Sequence, residues 1–124
     1  MHGLAADGEW GLIYGMVRNY SYMLRKLGMI PTANRTYFLS RSQPPFFSNM
    51  VRLLAEHNGR ARTFTEFLPS MLSEYRFWMK GKKEAAKSVE YSAYLRAVAM
   101  PDGTILNRYY DNRSTPRPES HRED

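Results

Sequence analysis

The chain has 124 residues, of which 43% are hydrophobic and 14% aromatic, a composition typical of one small globular domain and not of a disordered tail. It contains no cysteine, which excludes disulfide frameworks and thiolate metal sites. The formal net charge is +6, but 18 basic residues are mixed with 12 acidic ones along the chain, which argues against a nucleic-acid-binding surface.

Three histidines, far apart in sequence, have no spacing that suits a metal, so we expect neither a metal nor another cofactor. No run approaches the roughly 20 consecutive apolar residues of a membrane helix, and we expect no membrane contact. The residues after Met1 lack the basic start and apolar run of a secretory signal. The compartment is not determined by this sequence, and the cytoplasm is the default expectation.

Apolar residues at three- and four-residue intervals predict three amphipathic helices, at about residues 8–28, 44–58 and 64–80. For the first helix, Asp7 is expected to cap the start and Gly28 to lie just after the end. The second is predicted to open at Pro44 and Pro45, because a first helical turn does not need their missing N–H groups. Gly59 is expected to end it.

The start of the third helix is signalled by Thr63, with Glu66 three residues later in the spacing of a capping box. Pro69 predicts a break or kink inside it. The lysine-rich run Lys80–Lys87 is interpreted as a solvated loop. The apolar stripe predicted for this helix comprises Phe67, Leu68, Met71, Leu72, Tyr75, Trp78 and Met79.

A short β-hairpin is predicted at about residues 94–110, because Pro101, Asp102 and Gly103 form a strong turn signal between two apolar runs. A polar loop at residues 111–124 follows. The predicted fold is therefore mainly α, with successive helices paired as hairpins. Apolar residues lie on more than one side of each helix, which predicts burial against neighbours beyond these three.

Four segments, in the same order and at suitable spacing, resemble the trehalase family, glycoside hydrolases built as an (α/α)6 toroid of helical hairpins. They are Ile30–Leu39 (IPTANRTYFL), Ser40–Phe47 (SRSQPPFF), Glu74–Met79 (EYRFWM) and Leu106–Ser120 (LNRYYDNRSTPRPES). The resemblance covers nearly the whole chain. It implies that the chain is part of such a toroid, with a polar binding loop at its C-terminal end.

The resemblance also implies which residues line a sugar pocket. The family's R-S-Q and R-P-E motifs supply these residues, and the matching positions are Arg41, Ser42, Gln43, Arg117, Pro118 and Glu119. Thr32 stands where the family usually has a sugar-contacting Asn. Asp111 is interpreted as a turn or cap residue of the loop.

The implied activity is hydrolysis of trehalose to two glucose molecules with inversion, and the implied partner is trehalose. In the family, the first signature precedes the segment that matches Met1, and the catalytic acid (an Asp) and base (a Glu) follow the segment that matches Ser120. We therefore expect this chain to contain sugar-binding loops and no catalytic residue, to be inactive alone, and to need the remainder of the enzyme as a partner.

Two alternatives stay open at this point. One is a non-catalytic carbohydrate-binding module that uses Arg41, Gln43, Arg117 and Glu119 to bind sugar hydroxyls. The other is a basic interaction module in which arginines beside tyrosines stack on nucleic-acid bases or bind an acidic partner. Binding to nucleic acid that weakens steeply with salt would distinguish the second alternative from both sugar-binding interpretations.

Overall fold

The computed structural model of the protein describes residues 1–33, 35–87 and 91–115. Within these ranges the helices are His2–Ala6 (α1), Trp10–Leu27 (α2), Phe47–Asn58 (α3), Arg60–Met79 (α4) and Lys82–Ala85 (α5), with a 3₁₀ turn at Thr36–Phe38. The strands there are Ser92–Tyr94 (β1), Ala97–Ala99 (β2) and Ile105–Asn107 (β3). The predicted fold class, mainly α with a small antiparallel β element, is confirmed.

The chain divides into two compact units. The first, called the helical unit below, comprises Met1–Ile30 and Pro44–Tyr75. The second, called the loop-and-sheet unit, comprises Pro31–Gln43 and Arg76–Asp124.

In the helical unit, α2 and α4 run in the same direction. The Tyr14 hydroxyl donates to Glu66, and the hydroxyls of Ser21 and Ser70 lie 2.7 Å apart. The contacts therefore advance together along both helices. The intervening α3 returns the chain, since His57 near its end stacks on the Trp10 ring at the start of α2 with 4.2 Å between ring centroids. This arrangement is that of helical hairpins.

The core of the helical unit lies among α2, α3 and α4. Phe47 and Phe67 are fully or almost fully buried and meet edge to face, with their ring centroids 6.3 Å apart. The buried apolar cluster comprises Ile13, Val17, Leu24, Ile30, Phe47, Val51, Leu54 and Phe67. Most of these residues recur at helical spacing, so the periodicity of the sequence reports this core correctly.

The structure corrects two predicted helix starts. Asp7 does not cap α2, because it ends the separate short helix α1, and no side chain caps α2 at Glu9. The second helix begins at Phe47, three residues later than predicted. Pro45 disfavours helical backbone at Pro44, so the Pro-Pro pair precedes the helix and does not form its first turn. Gly28 ends α2 in the left-handed conformation, as predicted.

The helix α4 corrects two further predictions. It begins at Arg60, directly after Gly59, whose φ of +92° turns the chain in a single residue between α3 and α4. Thr63 is thus inside the helix and caps nothing. Pro69 causes no break, because the helix continues to Met79. The hydrogen bond that Pro69 lacks would go to the carbonyl of Thr65, and both residues are on the exposed side of the helix, where that carbonyl is accessible to solvent.

Burial along α4 departs from the predicted stripe. Phe67 is buried, whereas Leu68, Leu72 and Tyr75 of the helical unit are 40–59% exposed. These three residues are spaced by four and three positions, so they form one exposed apolar stripe. Within the ranges that the structure describes, no helix has the length and apolar character needed to cross a bilayer.

In the loop-and-sheet unit, the strands form an antiparallel sheet in the order β1-β2-β3. The predicted hairpin corresponds to β2 and β3, in which Ala97 pairs with Asn107 and Ala99 pairs with Ile105. The strand β1, which pairs with β2, is one that the sequence did not predict. The predicted loop at Lys80–Lys87 contains α5. Its Ala85 is fully buried against Ala97 and Ala99, so this run is only partly solvated.

Candidate functional site

A closed loop, residues 31–43, carries four of the predicted sugar-binding residues. Pro31 and Ser42 form an antiparallel bridge, and the N–H of Thr32 donates to the carbonyl of Arg41 at 3.1 Å. The amide of Gln43 donates to the carbonyl of Thr32, also at 3.1 Å. The loop therefore brings together Thr32, Arg41 and Gln43, which lie up to eleven positions apart in the sequence.

The four residues differ in exposure. Thr32 and Gln43 are exposed, and the side chain of Arg41 is 41% exposed. Ser42 is buried, with 9% of its surface exposed. The exposed members offer hydroxyl, amide and guanidinium groups, which are suitable donors and acceptors for sugar hydroxyls.

Asp111 binds this loop through its carboxylate. Its Oδ2 accepts hydrogen bonds from Nε of Arg41 at 2.7 Å and from the Ser40 hydroxyl at 3.1 Å, and its Oδ1 accepts from the N–H of Arg113 at 2.9 Å. Partial burial raises the pKa of Asp111, but the hydrogen bonds from Arg113, Arg41 and Ser40 lower it more. The net pKa lies below the usual range, so the carboxylate is ionised near neutral pH.

A buried arginine supports the segment that contains Asp111. Arg96 is 3% exposed, and its Nη2 donates to the carbonyl of Tyr110 at 3.1 Å and to the amide oxygen of Asn112 at 3.4 Å. Its guanidinium lies 3.9 Å from the centroid of the Phe77 ring. Burial lowers the pKa of Arg96, whereas the charge of Asp111 acts in the opposite direction. Arg96 thus contacts both neighbours of Asp111, through the backbone of Tyr110 and the side chain of Asn112.

Aromatic packing and side-chain hydrogen bonds hold β3 in place. The amide of Asn107 donates to the carbonyls of Trp78 at 2.9 Å and of Arg96 at 3.2 Å. Trp78 is 6% exposed and meets Tyr109 edge to face, with 5.6 Å between ring centroids. The burial of Trp78 agrees with its place in the predicted apolar stripe.

The second predicted motif, with Arg117, Pro118 and Glu119, lies outside the described residues. Among residues 1–33, 35–87 and 91–115, no three His, Asp or Glu side chains are grouped so that they could hold a metal ion.

Sequence reasoning missed the role of Arg96 and understated that of Asp111. The turn interpretation of Asp111 is correct as far as the N–H of Arg113 is concerned. Its pairing with Arg41, seventy positions away, leaves no local pattern in a single sequence. For Arg96, an isolated arginine inside the short apolar run Tyr94–Ala99 was the available signal, because a charge at such a position needs partners when it is buried.

The comparisons with known proteins identify the family of this chain. Residues 1–124 match the family model described as Trehalase. The chain is 48% identical over 124 residues to proteins named periplasmic trehalase from Shigella flexneri serotype 5b (strain 8401) and Escherichia coli O1:K1 / APEC. Each alignment covers 100% of this chain and 21% of the relative, so the chain spans about a fifth of their length.

The names of these relatives contradict one expectation. The default expectation of a cytoplasmic location is wrong, because proteins that match the chain over all of its residues are named as periplasmic.

The match of the family model over all 124 residues shows that the chain belongs to the trehalase family.

Proposed function

We propose that this chain contributes substrate-binding loops to an enzyme that hydrolyses trehalose to glucose with inversion. The closed loop at residues 31–43 carries this proposal, because it clusters Thr32, Arg41 and Gln43 on the surface of the loop-and-sheet unit. Arg117, Pro118 and Glu119, which match the family's second sugar-binding motif, complete the proposed set.

The chemistry of the loop suits a neutral disaccharide, which presents only hydroxyls and ring oxygens to its binder. Orientation must then come from donors and acceptors that are held in place. The backbone of Thr32 is fixed at both its N–H and its carbonyl by the bonds to Arg41 and Gln43. Arg41 adds the planar fork of donors of its guanidinium group.

We assign the chemical step to residues outside this chain. Inverting hydrolysis needs a carboxylic acid that protonates the leaving oxygen and a carboxylate that activates water, with the two carboxyl groups roughly 6.5–9.5 Å apart. The family's acid and base follow the segment that this chain matches. The chain aligns with 21% of each relative's length, so most of each relative lies outside the aligned segment. The residues of this chain would bind the sugar and orient it.

Titration of the isotope-labelled chain with trehalose, followed by NMR, tests the binding role. Saturable shifts at Thr32, Arg41 and Gln43 are expected, with a dissociation constant on the order of 1 mM. Arg41→Ala should weaken binding at least tenfold, whereas Arg52→Ala, an exposed arginine of α3, should leave it unchanged. Absence of saturable shifts with the unsubstituted chain would contradict the proposal.

A glucose assay tests the division of roles. The purified chain should release no more glucose from trehalose than its Glu119→Ala variant does. Release above that level would show that the chain contains catalytic groups of its own. A gain of trehalase activity on mixing with the remainder of a relative's enzyme would separate an enzyme part from a non-catalytic carbohydrate-binding module.

We also propose that the protein to which this chain belongs is periplasmic, as the relatives are named. An antibody raised against the chain should detect its antigen in the periplasmic fraction of the source cells. Detection only in the cytoplasmic fraction would contradict this location.

A further inference from the structure

The carboxylate of Asp111 is the point at which the loop at residues 31–43 meets the segment that follows β3. Its Oδ2 accepts from Nε of Arg41 at 2.7 Å and from the Ser40 hydroxyl at 3.1 Å. Its Oδ1 accepts the N–H of Arg113 at 2.9 Å. The two oxygens therefore have separate tasks: one binds the loop and the other stabilises the turn that presents the carboxylate.

The position of Asp111 depends in turn on the buried side chain of Arg96. This arginine is 3% exposed and binds the carbonyl of Tyr110 and the side chain of Asn112, the two neighbours of Asp111. Its guanidinium packs on Phe77. A buried guanidinium that binds both neighbours of Asp111 restricts the movement of the chain on either side of it. Asp111 is thus a rigidly held acceptor on an otherwise exposed segment.

A rigid acceptor matters for Arg41 because an arginine side chain has several rotatable bonds. Ordering such a side chain when a ligand binds costs free energy that weakens the complex. A carboxylate bound to Nε fixes the plane of the guanidinium and hence the direction of its donors. If Asp111 orders Arg41 before the sugar binds, the free energy of ordering this side chain no longer weakens the complex.

We propose that Asp111 is a positioning residue for Arg41, which it orients for sugar binding without contacting the sugar. The inference rests on the function proposed above, because that function assigns sugar binding to Arg41. Asp111 then acts on sugar binding through Arg41, and Arg96 holds the two neighbours of Asp111. The ionised state of Asp111 near neutral pH supports the pairing.

The test compares Asp111→Asn with Asp102→Asn in the full chain. Asn at position 111 retains an acceptor for the N–H of Arg113 but loses the charge that pairs with Arg41. Asp102 is a matched control, because its Oδ1 accepts the N–H of Thr104 at 2.9 Å in a similar turn and, among the described residues, forms no ion pair.

The first readout is the NMR signal of the Arg41 Nε–H group, assigned by its loss in Arg41→Lys. Its exchange with water should be slow in the unsubstituted chain and about tenfold faster in Asp111→Asn, and it should be unchanged in Asp102→Asn. A purely structural role in the turn would not change this signal. Equal exchange rates in the unsubstituted chain and Asp111→Asn would overturn the inference.

The second readout is the dissociation constant for trehalose. Asp111→Asn should raise it about tenfold, Asp102→Asn less than twofold, and Asp111→Asn should add nothing in an Arg41→Ala background. If Asp111→Asn binds trehalose as tightly as the unsubstituted chain does, the positioning role is contradicted but the proposed function is not. Failure of the unsubstituted chain to bind trehalose contradicts the proposed function and the positioning role with it.

Folding of the variant is checked from the amide signals of β2. If Asp111→Asn loses them, Asp111→Ser replaces it, because a serine hydroxyl also accepts an N–H two residues later. The same criteria then apply to the exchange of the Arg41 signal and to the dissociation constant.

Discussion

The hydroxyl oxygens of Ser21 and Ser70 lie 2.7 Å apart in the interior of the helical unit, one on α2 and the other on α4. Ser70 is 1% exposed, and its hydroxyl also lies 3.4 Å from the carbonyl of Ser21. Two small side chains let the helices approach closely here, and their hydroxyls satisfy each other away from water.

Removal of this hydrogen bond should be measurable by urea unfolding. Ser21→Ala and Ser70→Ala should each lower the free energy of unfolding by about 1 kcal/mol, because each leaves a buried hydroxyl with fewer partners. The double variant should cost clearly less than the sum, since no hydroxyl is then left behind. Strict additivity would show that the two residues are not coupled.

Glu74 predicts a pH dependence of stability. It is 6% exposed, and burial raises its pKa from 4.5 to about 7, although the N–H of Phe47 donates to its carboxylate and acts in the opposite direction. The folded state therefore holds the proton more tightly than the unfolded chain does. This contribution to stability is complete below pH 4.5 and is lost as the pH rises through 7.

Glu74→Gln should therefore raise the free energy of unfolding at pH 8 by about 2 kcal/mol, because each tenfold change in proton affinity is worth about 1.4 kcal/mol and reorganisation around the charge reduces the total. At pH 4 the variant and the unsubstituted chain should be similar. Glu56→Gln, at an exposed position of α3, is the control and should change little. A loss of stability at pH 8 in Glu74→Gln would contradict the prediction.

Gly81 is the glycine at which a side chain is least acceptable. Its φ is +93°, and a Cβ there would lie 2.7 Å from both the ring and the carbonyl oxygen of Tyr94. Gly81→Ala should lower the free energy of unfolding by about 2–3 kcal/mol. Gly103→Ala shares the positive φ without a close neighbour and should cost about 1 kcal/mol. Equal losses would show that the contact with Tyr94 is unimportant.

Thr32 offers a test by gain of function. Its backbone is held by Arg41 and Gln43 whatever its side chain, so a substitution should leave the loop intact. Thr32→Asn introduces the Asn that the resemblance to the family leads us to expect here, and it should tighten the proposed trehalose binding by about threefold to tenfold, through one added hydrogen bond. Ala33→Asn, one position further, should have no such effect. Equal affinities for trehalose in Thr32→Asn and Ala33→Asn would contradict the assignment of Thr32 to the binding site.

The helices could be predicted well from the sequence because their cause is local. Ile13, Val17 and Leu24 repeat at helical intervals, and Gly28 ends the run in the conformation that glycine favours. Errors arose where two local rules competed. Thr63 has the spacing of a capping box, but the turn at Gly59 starts the helix earlier, and the exposed position of Pro69 lets the helix continue through it.

The candidate site divides in the same way. The motif around Arg41 was identified from its sequence, since adjacent residues carry it. Its pairing with Asp111 and the support from Arg96 depend on contacts across 70 and 14–16 positions, and a single sequence does not report which distant residues meet. The strand β1 was missed because three residues next to a two-residue turn have too little periodicity to be recognised.

The two tryptophans of the sequence are divided between the two compact units, since Trp10 belongs to the helical unit and Trp78 to the loop-and-sheet unit. Trp10 lies partly exposed against His57, whereas Trp78 is almost wholly enclosed. Their fluorescence emission maxima should differ, with the maximum of Trp78 at the shorter wavelength. The chain thus contains its own pair of optical reporters, and a single-tryptophan variant of each kind would reveal the order in which the units melt.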